Sequence, residues 1–249
     1  MAPRTYKTEA VVLRSMRLGE ADRVLHVYTL DRGRVGAVAK GVRKTKSRFG
    51  ARLEPLSHVE LLLHQGQSDL QTVTGVELIR SHQAAREDYY RLNVGLIGAE
   101  AMLRLFSEQE ANERAFTALT RFLDVLDETP HAAGRPALDP VALAFQLKLL
   151  WLSGYLPHLT SCAECGATDT TLVGYSPRAG GAVCGGCASQ AEALALSGDG
   201  IRGIEALLAH PLADAVGLGL GERSSRDALR VVTASYEYHG GFRLRTLSA

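Results

Sequence analysis

The sequence lacks long apolar runs, which excludes a membrane-spanning protein. Nowhere in its 249 residues does it approach the roughly 18 consecutive apolar residues that a transmembrane helix needs. Residues 1–7 are polar, and only the short run Val11-Val12-Leu13 follows them, so no export signal is indicated. We therefore expect no membrane partner, and a cytoplasmic protein in a reducing compartment.

The sequence also lacks the motifs of the common enzyme classes. Residues 36–41 (GAVAKG) have the glycine spacing of a phosphate-binding loop, but Val42 occupies the position of its lysine, so the contact to the terminal phosphates is lost. Glu20 and Asp22 form a close carboxylate pair, yet arginines flank them on both sides, which favours salt bridges over a metal site. The eight histidines have no partnered nucleophile. We expect a protein without catalytic activity.

Positive and negative charges nearly balance over the whole chain, but they are unevenly distributed along the sequence. The net charge is +1, whereas residues 1–80 contain 14 Lys/Arg against 8 Asp/Glu, a net of +6. Residues 81–249 contain 14 Lys/Arg against 19 Asp/Glu, a net of −5. This asymmetry predicts an anion-binding domain, 1–80, joined to a domain with another role, 81–249.

The basic character is concentrated in residues 40–48 (KGVRKTKSR), where five of nine residues are cationic and none is acidic. Clustered like charges are costly to bury, so the segment faces water or an anion. It is either a solvated loop or a contact for nucleic-acid phosphates, and the basic surroundings favour the contact. The candidate DNA-binding residues are Lys40, Arg43, Lys44, Lys46 and Arg48.

Aromatic residues are sparse in this basic part, where only Tyr6, Tyr28 and Phe49 are available for base stacking. Stacking on aromatic rings normally supplies a large share of single-strand affinity. We therefore expect a domain that relies on phosphate contacts, binds with little sequence preference and loses affinity steeply as salt rises.

Five segments of the first 80 residues alternate apolar and polar side chains with the period of a β-strand. They lie near residues 8–15, 23–30, 34–42, 58–64 and 70–79, and glycine-containing turns separate several of them. Such a pattern predicts a small barrel, either an OB-fold or an SH3-like one. The basic segment then falls in the connection between the third and fourth strands.

From residue 84 the apolar period becomes helical. Helices are predicted near 90–106, 116–126, 199–209 and 225–238. A further helix is predicted from Asp139-Pro140 to Gly154, because Asp139 can act as an N-cap and proline is favoured at the first helical position. The predicted fold class is α+β multidomain: an N-terminal five-stranded OB-fold β-barrel, then an α-helical domain interrupted at residues 160–190 by a four-cysteine zinc module.

All four cysteines lie in that interruption, as Cys162-x2-Cys165 and Cys184-x2-Cys187 separated by 18 residues. Zinc takes four ligands at tetrahedral corners, and each Cys-x-x-Cys turn supplies two of them. We predict one structural Zn(2+) per chain, because four thiolates leave no open position for a catalytic water. A pair of redox disulfides is the alternative. His158 lies nearby and is expected at the surface or at a helix end.

Three further features complete the pattern: the run Leu18-Gly-Glu-Ala-Asp-Arg23, the runs Ala39-Lys-Gly-Val-Arg43 and Lys46-Ser-Arg48, and the run Tyr236-x-Tyr-His-x-Gly241 followed by Leu244-Arg-Thr246. In this order, and with the four cysteines, the chain resembles the RecO family of bacterial recombination mediators and DNA repair proteins. The resemblance covers nearly the whole chain.

The resemblance implies a non-catalytic mediator that binds single- and double-stranded DNA, anneals complementary strands and, with RecR, helps load RecA onto DNA coated with single-strand-binding protein. It also implies that the helical domain binds the C-terminal tail of single-strand-binding protein, and that the protein associates with the nucleoid. Annealing needs a basic surface that screens phosphates and leaves base edges free; Arg14, Arg17, Arg32 and Arg34 are secondary candidates for it. The alternatives are a zinc-ribbon-containing metal-dependent nuclease or nucleic-acid-modifying enzyme, and a protein scaffold whose basic loop binds an acidic partner.

Overall fold

The computed structural model describes residues 4–44, 47, 49–129 and 134–247. The chain divides into two compact units, residues 1–128 and residues 129–249. Within the described residues, no helix is both long enough and apolar enough to span a membrane.

The first unit begins with a closed five-stranded barrel. Its strands are β1 Thr5–Leu18, β2 Asp22–Thr29, β3 Gly33–Ala39, β4 His58–His64 and β5 Gln71–Arg80. They follow one another around the barrel in the order β1-β2-β3-β5-β4, and β4 closes it against β1. All neighbours are antiparallel except β3 and β5. This is the Greek-key arrangement of an OB-fold, one of the two small barrels that the strand pattern allowed.

The barrel interior is filled by the side chains that alternate inward along each strand. Leu25 and Val27 on β2 and Val59, Leu61 and Leu63 on β4 are fully buried in this core. Their neighbours point to the outer face, where Tyr28 packs edge-on against Phe106, with ring centroids 5.5 Å apart. On β4, the period of two in the sequence therefore predicted both the strand and the side that it buries.

Three helices complete the first unit: α1 Gln83–Glu87, α2 Tyr89–Leu105 and α3 Glu113–Glu128. The buried stripe of α3 includes Phe116, Leu119, Leu123 and Leu126, the four residues that the helical period predicted. His82, between the barrel and α1, is buried. Its Nδ1 lies 2.8 Å from the Leu56 carbonyl oxygen and its Nε2 3.1 Å from Asp124 Oδ1, so it links the barrel side to α3.

The second unit is mainly helical. Its helices are α4 Pro140–Leu152, α5 Gly198–Ala209 and α6 Glu222–Ser235, the last followed by one π-helical turn, Tyr236–Gly240. Asp139 caps α4, because its Oδ1 accepts hydrogen bonds from the backbone N–H groups of Val141 and Ala142 at 2.8 and 3.2 Å. Nine of the 13 residues of α4 are buried, but Trp151 at its end is 53% exposed.

A small sheet interrupts this helical unit between α4 and α5. It consists of β6 Leu172–Ser176, β7 Gly181–Cys184 and β8 Leu194–Ala195, in the order β7-β6-β8. Short 3-10 turns lie outside the main elements, at Gly50–Leu53, Pro136–Leu138, Leu212–Asp214, Val216–Leu218 and Arg245–Leu247. The fold class predicted from the sequence is confirmed: an OB barrel, then a helical region with a four-cysteine module inserted.

Candidate nucleic-acid interface and four-cysteine site

The loop that follows β3 is fixed against the β1–β2 turn by hydrogen bonds to the backbone. The N–H of Gly41 donates to Asp22 Oδ1 at 2.7 Å, and the N–H of Arg43 donates to the Ala21 carbonyl at 2.9 Å. The Arg43 guanidinium also donates to the carbonyl oxygens of Glu20 and Gly19, at 2.9 and 3.3 Å. The start of the basic segment therefore has a defined position.

The cationic side chains of this loop are exposed to solvent. Among the described residues, no carboxylate lies within ion-pair distance of Lys40, Arg43 or Lys44. Arg17 on β1 lies at the same end of the barrel, because it is the cross-strand partner of Arg23, which pairs in turn with Ala39 at the end of β3. We call this set the basic end: Arg17, Lys40, Arg43 and Lys44. Lys46 and Arg48 lie outside the described residues.

The salt bridges expected for Glu20 and Asp22 are not formed among the described residues. Successive side chains of a strand point to opposite faces, so Asp22 and Arg23 diverge. The Asp22 carboxylate accepts from Gly41, and Arg23 instead pairs with Glu54 at 3.1 Å. The expectation was wrong, and the anchoring role of Asp22 was missed, because sequence proximity does not show which face a side chain takes.

Of the secondary DNA-binding candidates, only Arg17 belongs to the basic end. Arg14 is exposed in the middle of β1, opposite His26. Arg34 lies at the far end of the barrel, where it pairs with Glu108 at 3.2 Å and donates to the Leu103 carbonyl. Burial lowers the pKa of His26, and the charges of Arg14 and Arg34 lower it further.

Arg32 also lies at the far end, in the β2–β3 turn, with its guanidinium carbon 3.8 Å from the centroid of the Tyr6 ring. The other two aromatic residues of the barrel are enclosed, since Tyr28 is 0% and Phe49 6% exposed. None of the three aromatic rings of the barrel is therefore freely exposed as a stacking platform.

The four cysteines converge on one point in the second unit. Their sulfur atoms all lie within 4.8 Å of one another, and Cys165 Sγ is 4.0 Å from Cys184 Sγ. Four thiolates around a zinc ion at ~2.3 Å would be about 3.8 Å apart, whereas a disulfide needs about 2.05 Å. The cysteines are free and not disulfide-bonded. This geometry fits a soft tetrahedral metal ion.

Tight turns and the β6–β7 sheet bring these sulfurs together. The N–H of Gly166, which has a φ of +76°, donates to the Cys162 carbonyl, and the N–H of Cys187 donates to the Cys184 carbonyl, at 2.8 and 3.1 Å. Cys184 ends β7, and its N–H donates to Cys162 Sγ at 3.3 Å. His158 is exposed and is not part of the cluster, because its Nε2 lies 2.6 Å from Ser161 Oγ.

The thiols differ in acidity. Backbone N–H groups of Cys184 and Cys165 that donate to its sulfur lower the pKa of Cys162 to about 6. Hydrogen bonds with the sulfurs of Cys165 and Cys184 raise the pKa of Cys187 to about 12. A bound cation would remove the mutual repulsion of the thiolates. The four cysteines could hold one metal ion.

Comparison with known proteins decides the family. The N-terminal family model of recombination protein O matches residues 1–82, and its C-terminal model matches residues 86–248. The chain belongs to the RecO family. The RecO sequence resemblance is thereby confirmed over both units.

Individual relatives of the RecO family match over most of their length. The chain is 40% identical over 226 residues to a protein named DNA repair protein RecO of Rubrobacter xylanophilus, covering 89% of this chain and 88% of the relative. It is 43% identical over 208 residues to the RecO of Frankia casuarinae (80% and 82% covered). It is 34% identical over 241 residues to that of Anaeromyxobacter dehalogenans (96% and 92%). The names describe DNA repair and mention no catalysed reaction.

Proposed function

We propose that this chain is a non-catalytic recombination mediator that binds single- and double-stranded DNA and anneals complementary strands. With RecR, it helps load RecA onto DNA coated with single-strand-binding protein, whose C-terminal tail it binds. It acts in the cytoplasm, associated with the nucleoid. Membership of the RecO family supports the repair role, and the basic end supports the DNA contact.

The observation that carries the proposal is the exposed set Lys40, Arg43 and Lys44, which lies on a loop of fixed backbone and forms no ion pair among the described residues. Cations that are not engaged by protein carboxylates are free to displace the counterions of a phosphate backbone. Annealing forms no covalent bond. It requires that repulsion between two strands be screened while the base edges stay free, and exposed lysines and arginines without aromatic neighbours meet that requirement.

The nuclease alternative has less support. Within the described part of the chain, the four cysteines are the only group of three or more His, Cys, Asp or Glu side chains placed to hold a metal ion. A four-thiolate site leaves no position for the water or substrate that a catalytic metal needs. Incubation of the protein with labelled DNA and Mg²⁺ should leave the DNA intact. Magnesium-dependent cleavage would favour the nuclease over the non-catalytic mediator.

We propose further that the four cysteines hold one structural zinc ion. When bound, zinc would act as a cross-link between the Cys162–Cys165 turn and the end of β7. Four soft ligands within 4.8 Å and the N–H that Cys184 directs at Cys162 Sγ are typical of such a site.

The DNA-binding proposal is tested by replacing Lys40, Arg43 and Lys44 together with alanine. The matched control replaces three exposed arginines that have no described ion pair: Arg114, Arg121 and Arg223. The logarithm of affinity for a single-stranded oligonucleotide is measured against the logarithm of salt concentration. Loss of three phosphate contacts should lower the slope by about 2 units and slow annealing, while the control keeps both. Equal behaviour of the two variants would contradict a DNA interface at the basic end.

A further inference from the structure

A cleft opens at the end of the barrel opposite to the basic end. The parallel pairing of β3 with β5 joins only Ala37 to Gln71 and Val38 to Thr72, so the first residues of β3 have no partner in β5. A cavity of about 290 Å³ lies at this seam. Asp31 and Arg32 of the β2–β3 turn and Val35 of β3 line one part of it. The remaining lining residues are Gln65 of the β4–β5 connection, Gln71 of β5 and Gln109 of the α2–α3 connection.

Arg32 is held in this cleft by an aromatic ring. Its guanidinium lies over the Tyr6 ring, in a cation–π contact, and among the described residues it forms no ion pair. One face of the planar group is covered by Tyr6. Arg32 is half-buried and also lines the cleft, and its Nε is buried without a hydrogen-bond partner among the described residues.

The three glutamines provide hydrogen-bonding groups without charge. The Tyr6 hydroxyl donates to Gln71 Oε1 at 2.7 Å, so the Gln71 amide group is oriented and its NH₂ remains as a donor. The backbone N–H groups of Gln65 and Gln109 donate to the carbonyls of Arg4 and Arg34, at 2.7 and 3.2 Å. Both side chains are exposed, so each carboxamide can rotate to present a donor or an acceptor.

This lining fits a nucleobase better than a phosphate. Asp31 balances the charge of Arg32, and its carboxylate would repel an anion. Guanidinium planes stack on unpaired bases, and carboxamides form hydrogen bonds with base edges. The volume lies at the lower limit of ~300–1,000 Å³ that small-molecule sites occupy, which suits one planar heterocycle.

We infer that this cleft receives one unstacked nucleobase of a bound DNA strand, which stacks on the Arg32 guanidinium and forms hydrogen bonds with Gln65, Gln71 and Gln109. Because two of the carboxamides rotate freely, the cleft adds affinity with little preference among bases. The inference rests on the proposed function, since the base belongs to a strand whose phosphates the basic end binds.

The test uses the full chain and the variant Arg32→Lys, which keeps the positive charge and removes the planar stacking face. Dissociation constants are measured for a thymidine oligonucleotide and for an abasic oligonucleotide with the same number of phosphates. The variant should bind the thymidine strand about 5- to 150-fold more weakly, as expected for one lost stacked base, and the abasic strand unchanged. Arg114→Lys, at an exposed arginine of α3 that is not among the DNA-binding candidates, is the matched control and should change neither constant.

An equal loss on both strands would show that Arg32 contacts a phosphate, and no loss on either would show that it contacts nothing; each result overturns the inference. If the wild-type chain binds neither strand, the proposed function fails and the cleft is tested by itself with deoxyadenosine. A saturable shift of the Gln65 and Gln109 side-chain amide NMR signals then supports a site for free nucleosides in place of strand bases. Absence of the shift overturns the base site altogether.

Discussion

The carboxylate of Asp22 accepts a hydrogen bond from the backbone N–H of Gly41, with 2.7 Å between Oδ1 and the nitrogen. Asp22 begins β2, and Gly41 belongs to the loop after β3, so the bond crosses the end of the barrel. Gly41 has a φ of +66°, a conformation that favours glycine. An acidic side chain thus positions the loop that carries the candidate DNA-binding cations.

Two substitutions at Asp22 separate its hydrogen bond from its charge. Asp22→Asn keeps an oxygen acceptor for Gly41 and removes the negative charge, so we expect it to bind DNA at least as tightly as the wild type. Asp22→Ala removes both, and should lower the free energy of unfolding by about 1 kcal/mol and bind DNA more weakly than the Asn variant. Denaturant unfolding and DNA titration measure the two effects. Identical DNA affinities for the two variants would show that this bond does not position the loop.

The four-cysteine site makes a prediction about metal content. Purified protein should contain one zinc per chain, and Cys162→Ser should abolish it and lower the melting temperature, because Cys162 is buried and structural zinc contributes directly to folding. The control is His158→Ala, since the His158 ring lies against Ser161 and outside the cluster. Metal analysis and thermal unfolding provide the readouts. Zinc-free wild-type protein, or a loss of zinc in the His158 variant, would refute the four-thiolate site.

Gly33 makes a prediction about the contact between the barrel and the α2–α3 connection. It has a φ of +62°, and a Cβ added there would lie 2.0 Å from the Glu110 carbonyl oxygen. Gly33→Ala should therefore lower the free energy of unfolding by about 2 kcal/mol or more, through left-handed strain and displacement of that segment. Gly66→Ala is the control, because a Cβ there meets nothing within 4 Å. Similar unfolding free energies for both variants would show that the segment moves aside at little cost.

Local patterns predicted the elements of this fold well. The alternation of Val59, Leu61 and Leu63 predicted both the bounds and the buried face of β4, because a strand repeats every two residues. The cap at Asp139 and the stripe of α3 likewise depend on neighbours a few positions away. The domain boundary at residue 80 was drawn from charge alone and stays a prediction. The helices α1–α3 after it lie in the same compact unit as the barrel.

The candidate sites could be predicted only in part. The Cys-x-x-Cys spacing predicted the convergence of four sulfurs, since each turn places two of them by itself. The nine DNA-binding candidates were chosen by charge, which does not show where a side chain lies. Strand pairing places Arg17 at the same end of the barrel as Lys40, whereas Arg32 and Arg34 lie at the far end against Tyr6 and Glu108.

The sequence by itself determined the five strands, the main helices, the basic segment and the metal-binding pattern, because each of these follows from residues close together in the chain. The tertiary structure decided which cations share a surface and that Asp22 anchors their loop. It also decided that three glutamines and Arg32 meet at one cleft. Asp22 and Gly41 are 19 positions apart and Arg32 and Gln109 are 77 positions apart, and only the closure of the barrel and the packing of the α2–α3 connection bring them together.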